Sequence, residues 1–238
     1  MPTILELSRK KSADIFDNIH KHPFVVQIHA GTLPQSQFDC YCEQDDLYLE
    51  RWVEIIQGLL ERLRQHPLAE GSAFIDDLDF IQQHLETVRE MIHAGVFNPK
   101  RKKSDFSPVP KIQLIDEYLD HLTHAARHST SIAIGLASLF GCYDLYRQIG
   151  IYSQKHAVTD EHTYYPWLAA NYDEEFVATA ERIFKLTDRI ASFELTTRIL
   201  ENVDPIIDAA RRSYDYEWAF FIAVTEDCTA LPTKRCLL

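Results

Sequence analysis

The sequence predicts an all-α protein folded as a multi-helix bundle. Apolar residues recur at helical spacing, as between Phe74 and Ile92, and no β-alternation of useful length appears. Only 7 glycines occur in 238 residues, which is typical of long helices joined by few tight turns. The segment Ser131–Gly150 is apolar on most of its surface, and such a helix belongs in the middle of a bundle.

The individual helices follow from start and stop signals along the chain. After a first amphipathic helix, His22-Pro23 opens a short apolar one, Gly31 stops it, and Thr32-Leu33-Pro34 opens the next. The longer predicted helices cover residues 3–20, 35–64, 70–94, 112–125, 129–152, 160–170, 173–200 and 204–226. We expect a single domain over residues 1–238, with a core of about 3–226 and a C-terminal tail at 227–238.

Phe97–Lys111 is the one long predicted loop, with three prolines and the basic cluster 100–103. The cluster is typical of a solvated loop, and an anion site is the alternative.

Charge and hydropathy exclude several classes of partner. The formal net charge of −12 argues against nucleic acid or an anionic membrane as the main partner. The opening residues MPTILELSRKKSAD have no apolar core of signal-peptide length, and no run approaches membrane-spanning length. A cytoplasmic protein without a membrane partner is therefore expected.

The central segment Ser131–Gly150 carries a candidate nucleophile, Cys142. Gly135 and Ser138 leave room beside the helix, and Tyr146, four residues after the cysteine, shares its face. The alternative is that Cys142 is a small core residue, as free cysteines usually are.

The helix predicted over 35–64 has an acidic face and an aromatic face. The acidic, solvent-facing stripe comprises Asp39, Glu43, Asp46, Glu50 and Glu54. Asp45 falls on the opposite face among aromatic residues, about 100° around the helix from Asp46. A lone buried carboxylate is costly unless it is paired or hydrogen-bonded. Asp45 is therefore either a ligand-binding group or a structural partner of a neighbouring helix.

The last predicted helix repeats this pattern with Glu217. Its apolar row contains Ile207, Ala210, Tyr214, Trp218 and Phe221, and Glu217 lies beside it. Burial raises the pKa of a carboxyl group and favours a proton donor near neutral pH. A structural pair with an arginine or a tyrosine is the alternative.

Four stretches of the sequence resemble the TenA family, also called thiaminase II. The first begins at His22 and carries HPF, GTLP and then F-x-x-Y-x-x-QD-x-x-Y at the family's spacing. GCYDLY at 141–146 resembles the family's P-C-Y-x-x-Y, and Trp167 to Tyr172 resembles W-x-x-x-Y with one residue more. SYDYEWAFF, from Ser213, resembles S-x-x-Y-E-x-x-F. The stretches occur in the family's order over about residues 20–225.

This resemblance implies a heme-oxygenase-like helical bundle without heme. It also implies hydrolytic removal of an amine from an aminomethyl-pyrimidine, or of the thiazole from thiamine, as a step of thiamine salvage. A homo-oligomer, most simply a tetramer, is implied as well, and closed symmetric assembly is the common case for soluble chains.

The resemblance also assigns roles to individual residues. Cys142 would be the nucleophile that adds to the pyrimidine ring, and Asp45 would bind the ring's amino group and a ring nitrogen. Glu217, supported by Tyr172, would protonate the leaving amine and then assist water. The pocket would be lined by Tyr48, Tyr118 and Tyr146. Three departures from the family pattern lie near the presumed pocket and concern substrate identity: Asp46, Gly141 and Asp144.

Two other functions are weighed against this one. Metal-dependent oxidases related to PqqC share the fold, and Glu86 and His93 could supply two ligands. A metal site needs more ligands than these, and the late histidine run of such oxidases is missing from residues 167–176. We therefore predict no metal or organic cofactor. A non-catalytic regulatory bundle would not explain why Asp45, Cys142 and Glu217 match the family together.

Overall fold

The computed structural model describes residues 2–98, 111–156 and 158–226, and every regular element within these ranges is helical. The all-α prediction is therefore confirmed. The α-helices are α1 (Ile4–Lys11), α2 (Ala13–Phe16), α3 (Pro23–His29), α4 (Gln35–Arg64), α5 (Ser72–His93), α6 (Gln113–Thr123), α7 (Ile132–Ala137), α8 (Tyr146–Lys155), α9 (Tyr165–Ala170), α10 (Glu174–Thr196) and α11 (Asp204–Glu226). Short 3-10 helices lie at Ile19–Lys21 and Pro67–Glu70, and π-helical turns at His124–His128 and Gly141–Leu145.

The predicted first helix, 3–20, is divided in the structure. Thr3 and Glu6 form a capping box at the start of α1, and α1 ends at Lys11 with Ser12 as its C-cap. Ser12 also opens the short helix α2. The apolar period runs through this break, so periodicity alone did not reveal it.

The predicted helix 129–152 is also interrupted, at the place where the candidate nucleophile lies. The Ser138 hydroxyl donates a hydrogen bond of 2.7 Å to the Gly135 carbonyl, and α7 ends at Ala137. Such side-chain bonds compete with the regular helical pattern. The chain then continues as a π-helical turn, Gly141–Leu145 (hereafter the π-turn), before α8 begins.

Helix α4 lies in the interior, packed against α5, α6, α7 and α11. Its acidic stripe is narrower than predicted, because only Glu50 and Glu54 are exposed. Asp39 and Glu43 are half-buried, and Asp46 is only 1% exposed. The assignment of Asp46 to a solvent-facing stripe was therefore wrong, since several helices cover α4.

Two predicted features cannot be placed. The basic cluster 100–103 and the C-terminal tail 227–238 lie outside the described residues. Within the described part of the chain, no helix is both long enough and apolar enough to span a membrane.

Candidate active site

Three chemically active groups come together where α4 and the π-turn both pack against α11. Asp45 comes from α4, Cys142 from the π-turn and Glu217 from α11. Burial raises the pKa of the Cys142 thiol well above its usual value, and the charges of Glu217 and Asp45 add to the shift. Burial likewise raises the pKa of Asp45 well above its usual value, again with a contribution from Glu217. The three groups are thus close enough to influence one another's protonation.

Asp45 and Cys142 combine burial in the bundle with some accessible surface. Both side chains are enclosed by the protein, as the dominant effect of burial on their pKa values indicates. Both nevertheless retain partly accessible surface. A ligand that reached this accessible surface would meet both side chains.

Glu217 is buried, with 2% of its surface exposed. The Tyr118 hydroxyl donates a hydrogen bond of 2.9 Å to its carboxyl oxygen Oε1. Burial raises the pKa of Glu217 to about 7, although the hydroxyls of Tyr118 and Tyr146 oppose the shift. Near neutral pH this carboxyl group can therefore both donate and accept a proton.

Stacked tyrosines form one wall of the site. The ring of Tyr118 stacks between Tyr48 and Tyr216, with ring centroids 5.1 Å and 5.0 Å apart. The buried Tyr48 hydroxyl has no hydrogen bond of ordinary geometry within the described ranges, but it is near enough to the Cys142 thiol to affect the thiol's pKa. The Tyr48 hydroxyl therefore lies beside the candidate nucleophile, and it is also near enough to Tyr118 to interact with it.

Two further aromatic residues belong to the site but received no role from the sequence. The Tyr41 hydroxyl lies 3.1 Å from the Tyr146 hydroxyl, and the charge of Asp45 contributes to the raised pKa of Tyr41. The Trp167 ring packs against Tyr41 and Tyr146, at centroid distances of 5.7 Å and 6.0 Å. Tyr41 is the tyrosine of the motif F-x-x-Y-x-x-QD, so its place in the motif could have identified it as a site residue. For Trp167, the only indication in the sequence is its place in W-x-x-x-Y.

Tyr172 lies apart from these groups. It borders a surface depression between α8 and α10, together with Arg147 and Glu181, and its hydroxyl interacts with Tyr165. The support expected from Tyr172 for Glu217 is provided instead by Tyr118 and Tyr146. The difference arises because α9 ends at Ala170, so Tyr172 lies in the turn that follows the helix and does not share its face with Trp167. At this point Trp167, not Tyr172, packs against the tyrosines of the site.

The three departures from the family pattern have distinct environments. A Cβ atom at Gly141 would lie 2.7 Å from the Ser213 carbonyl oxygen and 2.8 Å from the Tyr118 hydroxyl, so glycine allows the π-turn to approach α11. Asp144 is fully buried and pairs with Arg9 of α1. Asp46 is buried next to Asp45, and its charge contributes to the raised pKa of that residue.

The residues considered as metal ligands do not converge. Glu86 and His93 are both exposed on α5. Among the described residues, no three histidine, cysteine or carboxylate side chains are grouped as a metal site requires. Among the described residues, the groups that do influence one another are the Cys142 thiol and the Asp45 and Glu217 carboxyl groups, all with raised pKa values.

Comparison with known proteins matches the chain to one protein family and to two individual relatives. The chain matches the TENA/THI-4/PQQC family over residues 9–227. It is 27% identical over 208 residues to the thiamine biosynthesis multifunctional protein ThiED of Corynebacterium glutamicum, and 26% identical over 171 residues to ThiED of Corynebacterium efficiens. These matches cover 84% and 70% of the chain, which spans only about a quarter of the length of these relatives (24% and 21%).

Solved structures share the fold. A TenA homologue from P. horikoshii OT3 superposes with a TM-score of 0.73 at 22% identity, covering 94% of this chain and 99% of the other. A putative TenA-like thiaminase from Sulfolobus solfataricus P2 gives a TM-score of 0.70 at 18% identity, with coverages of 95% and 97%. The bundle is thus the heme-oxygenase-like fold of these proteins, as expected. Because the family match extends over most of its length, the chain belongs to the TENA/THI-4/PQQC family.

Proposed function

We propose that the protein is an aminopyrimidine aminohydrolase, or thiaminase II. It would hydrolyse an aminomethyl-pyrimidine, and also thiamine, to 4-amino-5-hydroxymethyl-2-methylpyrimidine for thiamine salvage. The observation that carries the proposal is the convergence of the Cys142 thiol with the carboxyl groups of Asp45 and Glu217 among the buried tyrosines Tyr48, Tyr118 and Tyr146. Support also comes from the ThiED relatives, named for thiamine biosynthesis, and from the relative named as a TenA-like thiaminase.

Asp45 holds the substrate ring in this proposal. Because its pKa is raised, a protonated Asp45 can donate to a ring nitrogen while its other oxygen accepts from the ring's amino group. A proton shared with the ring makes the ring carbons more electrophilic. It also places less negative charge near Cys142 than an ionised Asp45 would.

Cys142 and Glu217 then carry out the substitution. As the sulfur bonds to a ring carbon, the thiol proton passes to the Glu217 carboxylate, because the raised pKa of the thiol requires a base to remove it. Glu217 returns that proton to the departing amine as the exocyclic C–N bond breaks. Water then adds to the exocyclic carbon and gives a proton to Glu217, which returns it to the sulfur as the C–S bond breaks. The net reaction consumes one water and releases ammonia.

Tyr118 and Tyr146 orient Glu217, and Tyr48 presents its hydroxyl to the ligand.

We further propose that the chain assembles as a homotetramer.

The decisive experiment incubates the purified protein with 4-amino-5-aminomethyl-2-methylpyrimidine and measures hydroxymethyl-pyrimidine and ammonia together. Cys142→Ser should lose nearly all turnover while still binding the pyrimidine, because an alcohol is poorly ionised at neutral pH. Cys42→Ser is the matched control, since Cys42 is also a free, largely covered thiol but lies on α4 outside the proposed chemistry. Near-normal turnover in Cys142→Ser would refute the covalent mechanism, and an inactive wild type would refute the proposed function.

A further inference from the structure

An ion pair with a buried carboxylate lies in the same π-turn as the candidate nucleophile. Asp144, with 0% of its surface exposed, accepts a hydrogen bond of 2.8 Å from Arg9 Nε and a second bond from Arg9 Nη2. The Tyr214 hydroxyl donates a third bond, of 2.9 Å, to the same carboxylate. The Asp144 carboxylate is thus held by a residue of α1 and a residue of α11.

These contacts join the two elements that carry the proposed chemistry. Asp144 lies two residues after Cys142 in the π-turn, and Tyr214 lies three residues before Glu217 on α11. Gly141 packs directly against the Ser213 backbone, and the Ser213 hydroxyl donates to the Ser138 carbonyl. The π-turn and α11 are therefore connected by several successive contacts, and the Arg9–Asp144–Tyr214 contacts lie at one end of this series.

The π-helical conformation of the segment that carries Cys142 indicates what these contacts do. A π-turn departs from the regular α-helical pattern, and such turns are frequent at functional sites. Replacing a buried ion pair by apolar residues often leaves the stability of a protein unchanged. The function of such a pair can therefore be to fix the relative positions of the segments that it connects. Arg9 is only 34% exposed, and its pairing with Asp144 raises its pKa.

We propose that Asp144 is a positioning residue: held by Arg9 and Tyr214, it sets the placement of the Cys142 thiol relative to the Glu217 carboxyl group. This inference rests on the proposed function for its effect on turnover. Neither Arg9 nor Asp144 touches substrate in this account, and both act through the position of the π-turn.

Two variants and one matched control test the proposal. Asp144→Asn keeps the shape of the side chain but removes its charge. The double variant Arg9→Met with Asp144→Leu removes both charges at once, so that neither is left buried without a partner. Asp208→Asn is the control, because it breaks the exposed Lys11–Asp208 pair, which also joins α1 to α11.

Turnover of the aminomethyl-pyrimidine and alkylation of Cys142 by iodoacetamide, located by mass spectrometry, are measured for each protein. We expect both Asp144 variants to lose about 10- to 100-fold in kcat, with KM close to wild type, because small displacements of a reacting group have effects of this size. The alkylation rate of Cys142 should also change, whereas that of Cys42 should not. Asp208→Asn should match wild type in every measurement.

A double variant that is folded by circular dichroism, with wild-type kcat and a wild-type alkylation rate at Cys142, would overturn the proposal. If the wild type does not turn over the pyrimidine, the proposed function fails and the alkylation rates decide the inference by themselves. An altered rate at Cys142 alone would then support the positioning role, and an unchanged rate would refute it.

Discussion

Replacement of Glu217 by glutamine should change how the stability of the protein depends on pH. Burial raises the pKa of Glu217 from its ordinary value of 4.5 to about 7 in the folded protein. Between these two values the folded state holds a proton that the unfolded chain has already released. The carboxyl group therefore costs no stability below about pH 4.5, and the protein loses stability as the pH rises through 7.

The magnitude follows from the size of the shift. A pKa of about 7 in the folded protein, against 4.5 in the unfolded chain, corresponds to a loss of about 3 kcal/mol in the free energy of unfolding of wild type between pH 4.5 and pH 8.5. Glutamine does not titrate, and its carbonyl can still accept the hydrogen bond from Tyr118. The Glu217 charge also contributes to the raised pKa of Asp45, so its removal reduces the cost of ionising Asp45 as well. Both effects act in the same direction.

The assay is urea unfolding of wild type and Glu217→Gln at pH 5 and pH 8.5. Relative to wild type, the variant should gain about 2.5 kcal/mol in the free energy of unfolding between these two pH values. Asp208→Asn changes the formal charge by the same amount on the exposed side of α11, and it should follow wild type. Parallel pH profiles for wild type and Glu217→Gln would refute the reasoning, because they would mean that Glu217 titrates alike in the folded and unfolded states.

Three further predictions concern the reaction, ligand binding and assembly. Glu217→Gln should slow hydrolysis of the aminomethyl-pyrimidine more than that of thiamine, because the thiazole leaves without needing a proton; an equal loss for both substrates would contradict the role of Glu217 as proton donor to the leaving amine. Asp45→Asn, introduced into Cys142→Ser, should weaken pyrimidine binding about tenfold by isothermal titration. The exposed Glu50→Gln on the same helix should not, and equal effects would contradict the role given to Asp45. Sedimentation at micromolar concentration should detect a tetramer, and a monomer alone would exclude that assembly.

The long helices could be predicted from the sequence because their signals are local. For α4, α5 and α11, the apolar period and the breaks at proline and glycine predicted bounds close to those observed, and those of α4 and α11 were matched at both ends. The same periodicity located Glu217 on a buried face, because a helix of known phase fixes the side on which each residue lies. Local pattern also marked Cys142 and Asp45 as unusual among their neighbours.

Features that depend on contacts between distant residues were decided only by the tertiary structure. Asp46 is buried because several helices cover α4, and no property of the α4 sequence shows how many neighbours that helix has. Tyr172 lies in the turn after α9 and borders a different depression, whereas Tyr118, from a different helix, reaches the Glu217 carboxyl group.

The sequence by itself determined which side chains could take part in the chemistry, since amphipathic pattern and residue type are properties of each segment alone. The tertiary structure decided which of them meet. The pairing of Arg9 with Asp144 spans 135 positions along the chain, and that of Tyr118 with Glu217 spans 99. Contacts of this kind form only when several helices pack together, and the residue pattern within one helix does not predict which other helices it packs against.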